Sequence, residues 1–342
     1  MGRFGAAIRG VAPIKSRSHS KVVEPVQGKA NTKRFAAIDI GTNTILLLIA
    51  ELEENGVFQV LEDQAEITRL GEAVDYTRWI GSDGKERSLE VLRAYLERCR
   101  DLGVDEIVAV GTSALRDARN AEDFKAHFKR ELGLDLRILS GEEEASYSYL
   151  AVQRGLDLVG KEVLVVDVGG GSTELIWAKE GGLHRLASLD MGSVRLTERF
   201  LPSDPVREEE VAQLTMTIDS KLEPLLVDWG KEARLSVMVG IAGTFTTLAA
   251  VEKRLSHYSH HEVHGSCLSR AEVQRQVRLF KGKTVAERRE IPGLEPKRAD
   301  VIFAGALLID RIMALFRVEQ VMVSDQGIRY GLLHEKLMTR DG

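Results

Sequence analysis

The chain has 342 residues, 44% of them hydrophobic and 29% charged, which is ordinary for a globular protein and enough for two domains. Its longest apolar runs fall far short of the about 20 residues that a membrane span requires. Its two cysteines give neither a disulfide framework nor zinc spacing, so a reducing, cytoplasmic location is expected.

The first 33 residues differ from the rest of the chain in composition. Residues 1–34 carry a net charge of +7, whereas the remaining residues carry −12. Gly, Ser and Pro at short intervals and little apolar periodicity predict a disordered tail. The Arg- and Ser-rich composition is also similar to that of an organelle transit peptide, and this alternative stays open. Because the body is acidic, a polyanionic substrate would have to be attracted by local arginines, turn amides and metal.

One motif occurs twice, as FAAIDIGTNTILLLIA at residues 35–50 and as VLVVDVGGGSTELIWA at residues 163–178. In both copies an apolar run is followed by Asp-x-Gly, by a turn rich in glycine and hydroxyl side chains, and by a second apolar run. The aligned positions are Asp39 with Asp167, Gly41 with Gly169, and Thr44 with Ser172. Such a turn presents backbone N–H groups to an anionic oxygen, and the Asp can hold a metal ion beside it. The repeat predicts two related lobes that face each other across a phosphate-sized cleft.

Strand and helix patterns alternate along the chain, which is typical of α/β lobes. The apolar stripe of Leu89, Leu92 and Cys99 predicts one helix. Asn120 is predicted to be the N-cap of the next helix, with Glu122 and Asp123 in its first turn. Further helices are predicted from about residue 142, over 211–222 and over 297–316. Strands are predicted at 35–40, 45–52, 57–62, 106–111, 136–139, 163–168, 173–178 and 236–242.

The spacing of the two motif copies sets the predicted domain organisation. The boundary is expected near Gly155–Gly160, between the helix that begins around residue 142 and the strand that opens the second copy. The prediction is a tail over 1–33, a first lobe over 34–157 and a second lobe over 158–342, whose last helix can pack back on the first lobe.

A third glycine-rich turn follows the strand pattern at 236–242 and leads into a helix. It contains Gly243 and Thr244. Alone, Gly-x-x-Gly-Thr is a weak signal. As the third turn after two Asp-x-Gly hairpins it is typical of two-lobed nucleotide-binding proteins, in which it closes over phosphates or a nucleoside. We therefore expect these two residues at the cleft.

The ordered set of motifs closely resembles the exopolyphosphatase / guanosine pentaphosphate phosphohydrolase family. The motifs are DIGTN at 39–43, GTSALR at 111–116, SGEEEA at 140–145, DVGGGSTE at 167–174, MGSVR at 191–195 and GT at 243–244. The resemblance covers about residues 33–340, including ERREIPGLEPKRAD at 287–300 and SDQGIRYGLL at 324–333. It implies duplicated ribonuclease-H-like lobes of the actin, hexokinase and heat-shock chaperone superfamily, in a short form without the HD-type domain of longer members.

The resemblance places the catalytic glutamate in SGEEEA. Glu144, the residue just before the alanine, matches it and is expected to orient and deprotonate the attacking water. Acids in the first turn of a helix are also favoured by the helix dipole, and this reason suffices for Glu142 and Glu143. Because three acids are consecutive, Glu143 is kept as the alternative.

Acids and donors around the two turns complete the expected site. Asp167 and Glu174 match essential family acids, and within a hairpin both can point into the cleft and bind one Mg²⁺. Asp39 is the weaker third candidate. Arg116 matches a family arginine that contacts phosphate, with a salt bridge to Asp117 or nearby acids as the alternative. The other expected phosphate contacts are Gly41, Thr42, Asn43, Thr44, Gly169, Gly170, Gly171, Ser172, Thr173, Gly243 and Thr244, with Arg69 and Arg195 as weaker candidates.

Four histidines lie close together within residues 257–264. Such a cluster raises the question of a metal site. No carboxylate partner at helical spacing is evident, so we interpret them as solvated side chains of a polar loop. The family requires none of them except a histidine that matches His264. The four are His257, His260, His261 and His264.

The function implied is hydrolysis of terminal phosphoanhydride bonds, with inorganic polyphosphate favoured as substrate. Guanosine pentaphosphate is the alternative substrate, and phosphate transfer between polyphosphate and ADP is an alternative reaction. A non-catalytic alarmone sensor is the alternative from another class, although the intact acids argue against it. Sugar kinase activity is disfavoured because no sugar-binding insertion is recognisable. No membrane or sequence-specific nucleic-acid partner is expected, and a homodimer is left open.

Overall fold

Two mixed β-sheets, each covered by helices, organise residues 32–53, 57–229 and 235–338, the ranges that the computed structural model describes. The α/β class with two lobes is therefore confirmed. Residues 1–31, most of the predicted tail, lie outside the described residues. Within the described ranges no helix is both long and apolar enough to cross a bilayer.

The first lobe contains a five-stranded sheet in the order β3-β2-β1-β4-β5. The first motif copy forms the antiparallel hairpin β1–β2, and β4 and β5 continue the sheet in parallel with β1. The strands are β1 (Lys33–Ile40), β2 (Thr44–Leu52), β3 (Phe58–Ile67), β4 (Glu106–Gly111) and β5 (Leu136–Ile138). The helices are α1 (Val74–Thr77), α2 (Ser82–Asp101), α3 (Ser113–Asp117), α4 (Ala121–Leu132) and α5 (Gly141–Gly155).

The predicted N-cap position of α4 is confirmed, although the side chain of that residue does not cap the helix. Asn120 does precede the helix, but its side chain makes no capping hydrogen bond. Its amide instead pairs with the backbone of Ile80, accepting from the N–H at 2.9 Å and donating to the carbonyl at 3.0 Å. A contact between segments 40 residues apart leaves no local signal in the sequence.

The second lobe contains a six-stranded sheet in the order β10-β11-β9-β6-β7-β8. The second motif copy forms the antiparallel hairpin β6–β7, and β9 and β11 run parallel to β6. The strands are β6 (Val163–Val168), β7 (Thr173–Lys179), β8 (Gly182–Leu189), β9 (Val237–Ile241), β10 (Cys267–Ser269) and β11 (Gln320–Val323). The pattern did not predict β8, β10 or β11, because β8 is a largely exposed edge strand and the other two are three and four residues long.

Eight helices of the described chain follow the second hairpin. The long apolar stretch predicted as a helix at 297–316 is helical only from Ile302, and its start is a separate 3₁₀ turn at Pro296–Arg298. The helices are α6 (Ser193–Phe200), α7 (Glu208–Trp229), α8 (Ala242–Lys253), α9 (His260–Val263), α10 (Arg270–Lys281), α11 (Val285–Arg288), α12 (Ile302–Leu315) and α13 (Ile328–Met338).

Helix α5 lies between the two sheets and uses opposite faces for them. Tyr147 and Ala151 belong to the apolar cluster of β1 and β2, whereas Ala145 and Val152 belong to the cluster of β6, β7 and β9. The last helix, α13, joins the first of these clusters and so packs on the first lobe. Because α5 begins at the cleft and is buried by both lobes, its first turn is a rigid platform for side chains.

Candidate active site

The turns of the two hairpins face each other across one cavity of about 810 Å³. Each turn is closed by the same hydrogen bond: the Gly41 N–H donates to the Thr44 carbonyl at 3.0 Å, and the Gly169 N–H donates to the Ser172 carbonyl at 3.1 Å. A Cβ atom at position 171 would lie 2.5 Å from Ser113 Oγ, which belongs to the first lobe. The approach of the lobes, as well as room for an anion, therefore requires glycine in the second turn.

Helix α5 places the two candidate acids in different surroundings. Ser140 and Glu143 form a reciprocal capping box, in which the Glu143 carboxylate accepts from the Ser140 N–H at 2.8 Å. Glu143 is thus occupied at the helix end, outside the cavity. Glu144 is 7% exposed and lines the cavity. Of the two acids, only Glu144 lines the cavity, and its role as the general base stays a prediction.

Arg116 holds Glu144 in place. Its Nη1 atom donates to Glu144 Oε2 at 2.6 Å and to the Leu139 carbonyl at 3.0 Å. Burial raises the pKa of Glu144 to about 7, and the charge and hydrogen bond of Arg116 oppose that rise. The alternative for Arg116, a salt bridge to Asp117 or a nearby acid, is confirmed for a nearby acid, because Arg116 pairs with Glu144. Asp117 itself pairs with Arg195 and Arg78. Arg116 therefore contacts the expected base, and its side chain is about three-quarters buried.

Three further acids lie on the strands of the two hairpins. Asp167 Oδ2 accepts from Ser148 of α5 at 2.8 Å, and Glu174 Oε1 accepts from Ser188 of β8 at 2.8 Å. Burial raises the pKa of Asp167 to about 6 and that of Glu174 well above its usual value. Burial also raises the pKa of Asp39 to about 8, with a further increase from the negative charge of Glu144. Buried carboxyl groups that lie close together repel each other when they are ionised. They therefore either bind a cation or keep their protons.

The donor set fits Mg²⁺ bound through a substrate. Asp39 Oδ1 and Glu174 Oε2 are buried without a hydrogen-bond partner, and hard carboxylate oxygens are what Mg²⁺ prefers. Within the described ranges, however, no three His, Cys, Asp or Glu side chains converge into a ready-made metal site. Mg²⁺ commonly binds through one or two carboxylates, with waters and substrate phosphates completing the octahedron. Asp39 and Asp167 line the cavity, whereas Glu174, opposite Asp167 on β7, is fully buried and is not part of the cavity wall. These three acids would hold the ion in that way.

The third turn lines the cavity and lies against Arg298, which the sequence did not predict as a site residue. Gly243 and Thr244 line the cavity. A Cβ atom on Gly243 would lie 2.3 Å from Arg298 Nη1, so glycine leaves room for that guanidinium. Arg298 also donates to Thr44 Oγ1 at 3.2 Å, which joins the two lobes. No salt bridge of Arg298 occurs within the described residues. The only sequence signal was its place in the segment 287–300, because its partners are more than 50 residues away.

Several expected phosphate contacts have other roles in the structure. Thr173 is fully buried, and its hydroxyl donates to the Met191 carbonyl, away from the cavity. Arg195 pairs with carboxylates of the first lobe. Arg69 pairs with Asp300 at 2.9 Å. Arg116, which pairs with Glu144, is not among the residues that line the cavity. The other expected contacts do line it: Gly41, Thr42, Asn43, Thr44, Gly169, Gly170, Gly171 and Ser172.

Two of the four histidines are not simply solvated. His260 and His264 both contact the carboxylate of Asp325, and His264 is only 24% exposed. Asp325 and His260 lie on the cavity wall, far along the chain from the acids of the hairpins. The interpretation as solvated loop side chains is therefore wrong for this pair.

Comparisons with known proteins cover nearly the whole chain. The model of the Ppx/GppA phosphatase family matches residues 48–340. The chain is 33% identical to exopolyphosphatase 2 of Mycobacterium tuberculosis over 314 residues, which covers 87% of this chain and 97% of that protein. It is 32% identical over 326 residues to a bifunctional 3-dehydroquinate synthase/phosphatase of Fusobacterium nucleatum, covering 92% of this chain and 48% of the relative. The chain thus spans about half the length of that bifunctional protein.

A solved structure has the same architecture. The crystal structure of the Aquifex aeolicus member of the Ppx/GppA family superposes with a TM-score of 0.76 at 34% sequence identity. The superposition covers 91% of this chain and 99% of that chain. The similarity therefore includes both lobes and the cleft between them.

Proposed function

The chain belongs to the Ppx/GppA phosphatase family, and from that premise we propose that it hydrolyses the terminal phosphoanhydride bond of inorganic polyphosphate. The observation that carries this proposal is the position of Glu144. A buried carboxylate on the cleft wall, held by Arg116 and flanked by two glycine-rich turns, is an arrangement for activating water beside a bound phosphate.

The residues divide the reaction between them. Amides of the two turns and the guanidinium of Arg298 hold the terminal phosphate. The Glu144 carboxylate accepts a proton from water, whose oxygen attacks the terminal phosphorus in line with the bridging oxygen. The bridging P–O bond then breaks, and its electrons leave with the shortened chain. Mg²⁺, when held by Asp167, Glu174 and Asp39, supplies positive charge against the phosphate oxygens.

Polyphosphate is favoured over a single phosphate ester by the size of the cleft. A cavity of about 810 Å³ exceeds what one terminal phosphate fills. Its wall carries more carboxyls than cations, so an extended anion would depend on Lys297, Arg298 and bound metal ions for attraction. The exopolyphosphatase name of the mycobacterial relative supports the same substrate.

Guanosine pentaphosphate is the second candidate because one part of the cavity wall is apolar. Leu255, Tyr258, Leu294 and Pro296 line it together with Ala250. An aromatic and aliphatic wall can pack against a nucleobase, whereas polyphosphate has no apolar group to place there.

One assay tests the proposal. Purified protein with Mg²⁺ is compared for phosphate release from long polyphosphate, triphosphate and guanosine pentaphosphate, with and without ADP. We expect the highest kcat/KM on long polyphosphate and no consumption of ADP. A higher kcat/KM on guanosine pentaphosphate would transfer the assignment to the alarmone, and consumption of ADP would indicate phosphate transfer. No phosphate release from any of the three would contradict the proposal.

A further inference from the structure

Helix α6 begins directly behind the second turn and occupies its carbonyl groups. The Ser193 N–H donates to the Gly169 carbonyl at 3.0 Å, and the Val194 N–H donates to the Gly170 carbonyl at 2.9 Å. The side chain of Arg195 completes the set, because its Nε donates to the Gly171 carbonyl at 2.7 Å. Three successive carbonyls are therefore drawn to one side of the turn.

This arrangement fixes where the amides of the turn point. The peptide bonds of the turn are trans, and a planar trans peptide directs its N–H opposite to its carbonyl. The N–H groups of Gly170, Gly171 and Ser172 consequently point away from α6. In the part of the chain that the structure describes, none of these three amides donates to a backbone acceptor. They are free to bind an anion in the cavity that the same residues line.

Arg195 also connects this turn to the opposite lobe. Its two Nη atoms donate to Asp75 of α1 and to Asp117 of α3. Arg195 is 6% exposed, and Asp75 is 4% exposed. Asp117 follows Arg116, the residue that holds Glu144. The Arg195 guanidinium therefore contacts the anion-binding turn of the second lobe. In the first lobe it contacts α3, the helix that carries Arg116.

We propose that Arg195 is a positioning residue: it orients the Ser172 amide through the Gly171 carbonyl and fixes the second turn relative to Arg116, without contacting the phosphate itself. All three nitrogens of its guanidinium are engaged with protein acceptors. The guanidinium of arginine places its donors on three separate nitrogens in one plane, whereas all three donors of a lysine ammonium are on one nitrogen, which cannot reach acceptors spread around the fork. The proposal rests on the proposed function in one respect, namely that the turn binds substrate phosphate.

A matched control is available in the same helix. Arg199 also pairs with Asp75, at 2.7 Å, but it is 42% exposed and makes no contact with the turn. Arg195→Lys and Arg199→Lys each weaken an arginine–Asp75 pair between the lobes and keep the positive charge. Only the first removes the contact with the Gly171 carbonyl.

The experiment compares wild type, Arg195→Lys and Arg199→Lys in the intact chain. The dissociation constant of inorganic phosphate is measured by calorimetry with Mg²⁺, KM and kcat are measured on polyphosphate, and the thermal midpoint is recorded. We expect Arg195→Lys to raise both the phosphate dissociation constant and KM by about tenfold or more, and Arg199→Lys to leave both unchanged.

The outcomes separate positioning from general stability and from the proposed function. If Arg195→Lys lowers only the thermal midpoint and the active fraction, or if both variants bind phosphate equally, the positioning role is wrong. If wild type binds phosphate but releases none from polyphosphate, the proposed function fails, while the ratio of phosphate dissociation constants still decides the role of Arg195.

Discussion

The two copies of the Asp-x-Gly hairpin have the same backbone and different side chains at equivalent positions. Both turns are closed by an N–H to carbonyl hydrogen bond of about 3 Å. In both hairpins an Asp is the last residue but one of the strand that leads into the turn. Across the first hairpin Asp39 lies opposite Leu46, whereas across the second Asp167 lies opposite Glu174. The second copy thus has two acids where the first has one.

The elements around the two copies also place more polar and acidic side chains beside the second copy than beside the first. Helix α5 brings Ser148 to the carboxylate of Asp167, and α5 also carries Glu144. The first copy provides side-chain donors in its turn, Thr42 and Asn43, where the second has glycines. The two hairpins therefore share a backbone arrangement, and most of the acidic groups lie on the second one.

The largest expected effect tests the base that faces the second copy. Glu144→Gln removes the proton acceptor while keeping the shape of the side chain, so turnover should fall by about 10²–10⁴-fold with substrate still bound. Glu143→Gln is the control: it weakens the capping box, which costs about 1 kcal/mol of stability, and should leave turnover near wild type. Turnover of Glu144→Gln above a tenth of wild type would contradict the assignment.

The next effect tests the division of acids between the copies. Asp167→Asn and Glu174→Gln should each raise the Mg²⁺ concentration for half-maximal activity by about tenfold or more, since each removes a hard anionic ligand. Asp39→Asn should raise it less. Leu46→Gln changes the position equivalent to Glu174 in the first copy and should not shift the Mg²⁺ titration. A larger shift for Asp39→Asn than for Asp167→Asn would place the metal on the first hairpin.

A pH profile tests whether the positive charge of Arg116 lowers the pKa of Glu144. The base must be ionised, so kcat/KM at saturating Mg²⁺ should fall about tenfold per pH unit below its pKa and level off above it. Burial raises the pKa of Glu144 to about 7 and Arg116 lowers it, so Arg116→Met should move the acidic limb to higher pH. Arg119→Met, three residues along and exposed, is the control. An acidic limb that stays in place or moves to lower pH would contradict this reading.

The smallest expected effect concerns the tail. Steering by its positive charge would act on encounter rate and is screened beyond about 8 Å at physiological salt. Deletion of residues 1–31 should leave kcat at saturating polyphosphate unchanged and raise KM slightly at low salt only. A large fall in kcat at saturating substrate would show that the segment belongs to the site.

The sequence predicted the hairpins well because their signal is local. An apolar run, an Asp-x-Gly turn and a second apolar run are contiguous, and β1, β2, β6 and β7 begin within two residues of the predicted positions. Strand β8 has no such apolar pattern, because it lies at the edge of the sheet and much of it is exposed to solvent. The choice between Glu143 and Glu144 also needed the structure, since both fit the same motif and only the helix cap distinguishes them.

By itself, the sequence determined the α/β class, the duplicated turns and the acids on them, because backbone conformation and strand burial follow from neighbouring residues. Only the tertiary structure decided which side chains meet across the cleft. Arg298 reaches Thr44 over a separation of 254 residues, and Arg195 joins Gly171 to Asp75 and Asp117. Such contacts depend on how the two lobes pack around α5, and the packing of distant segments leaves no periodic trace in a single chain.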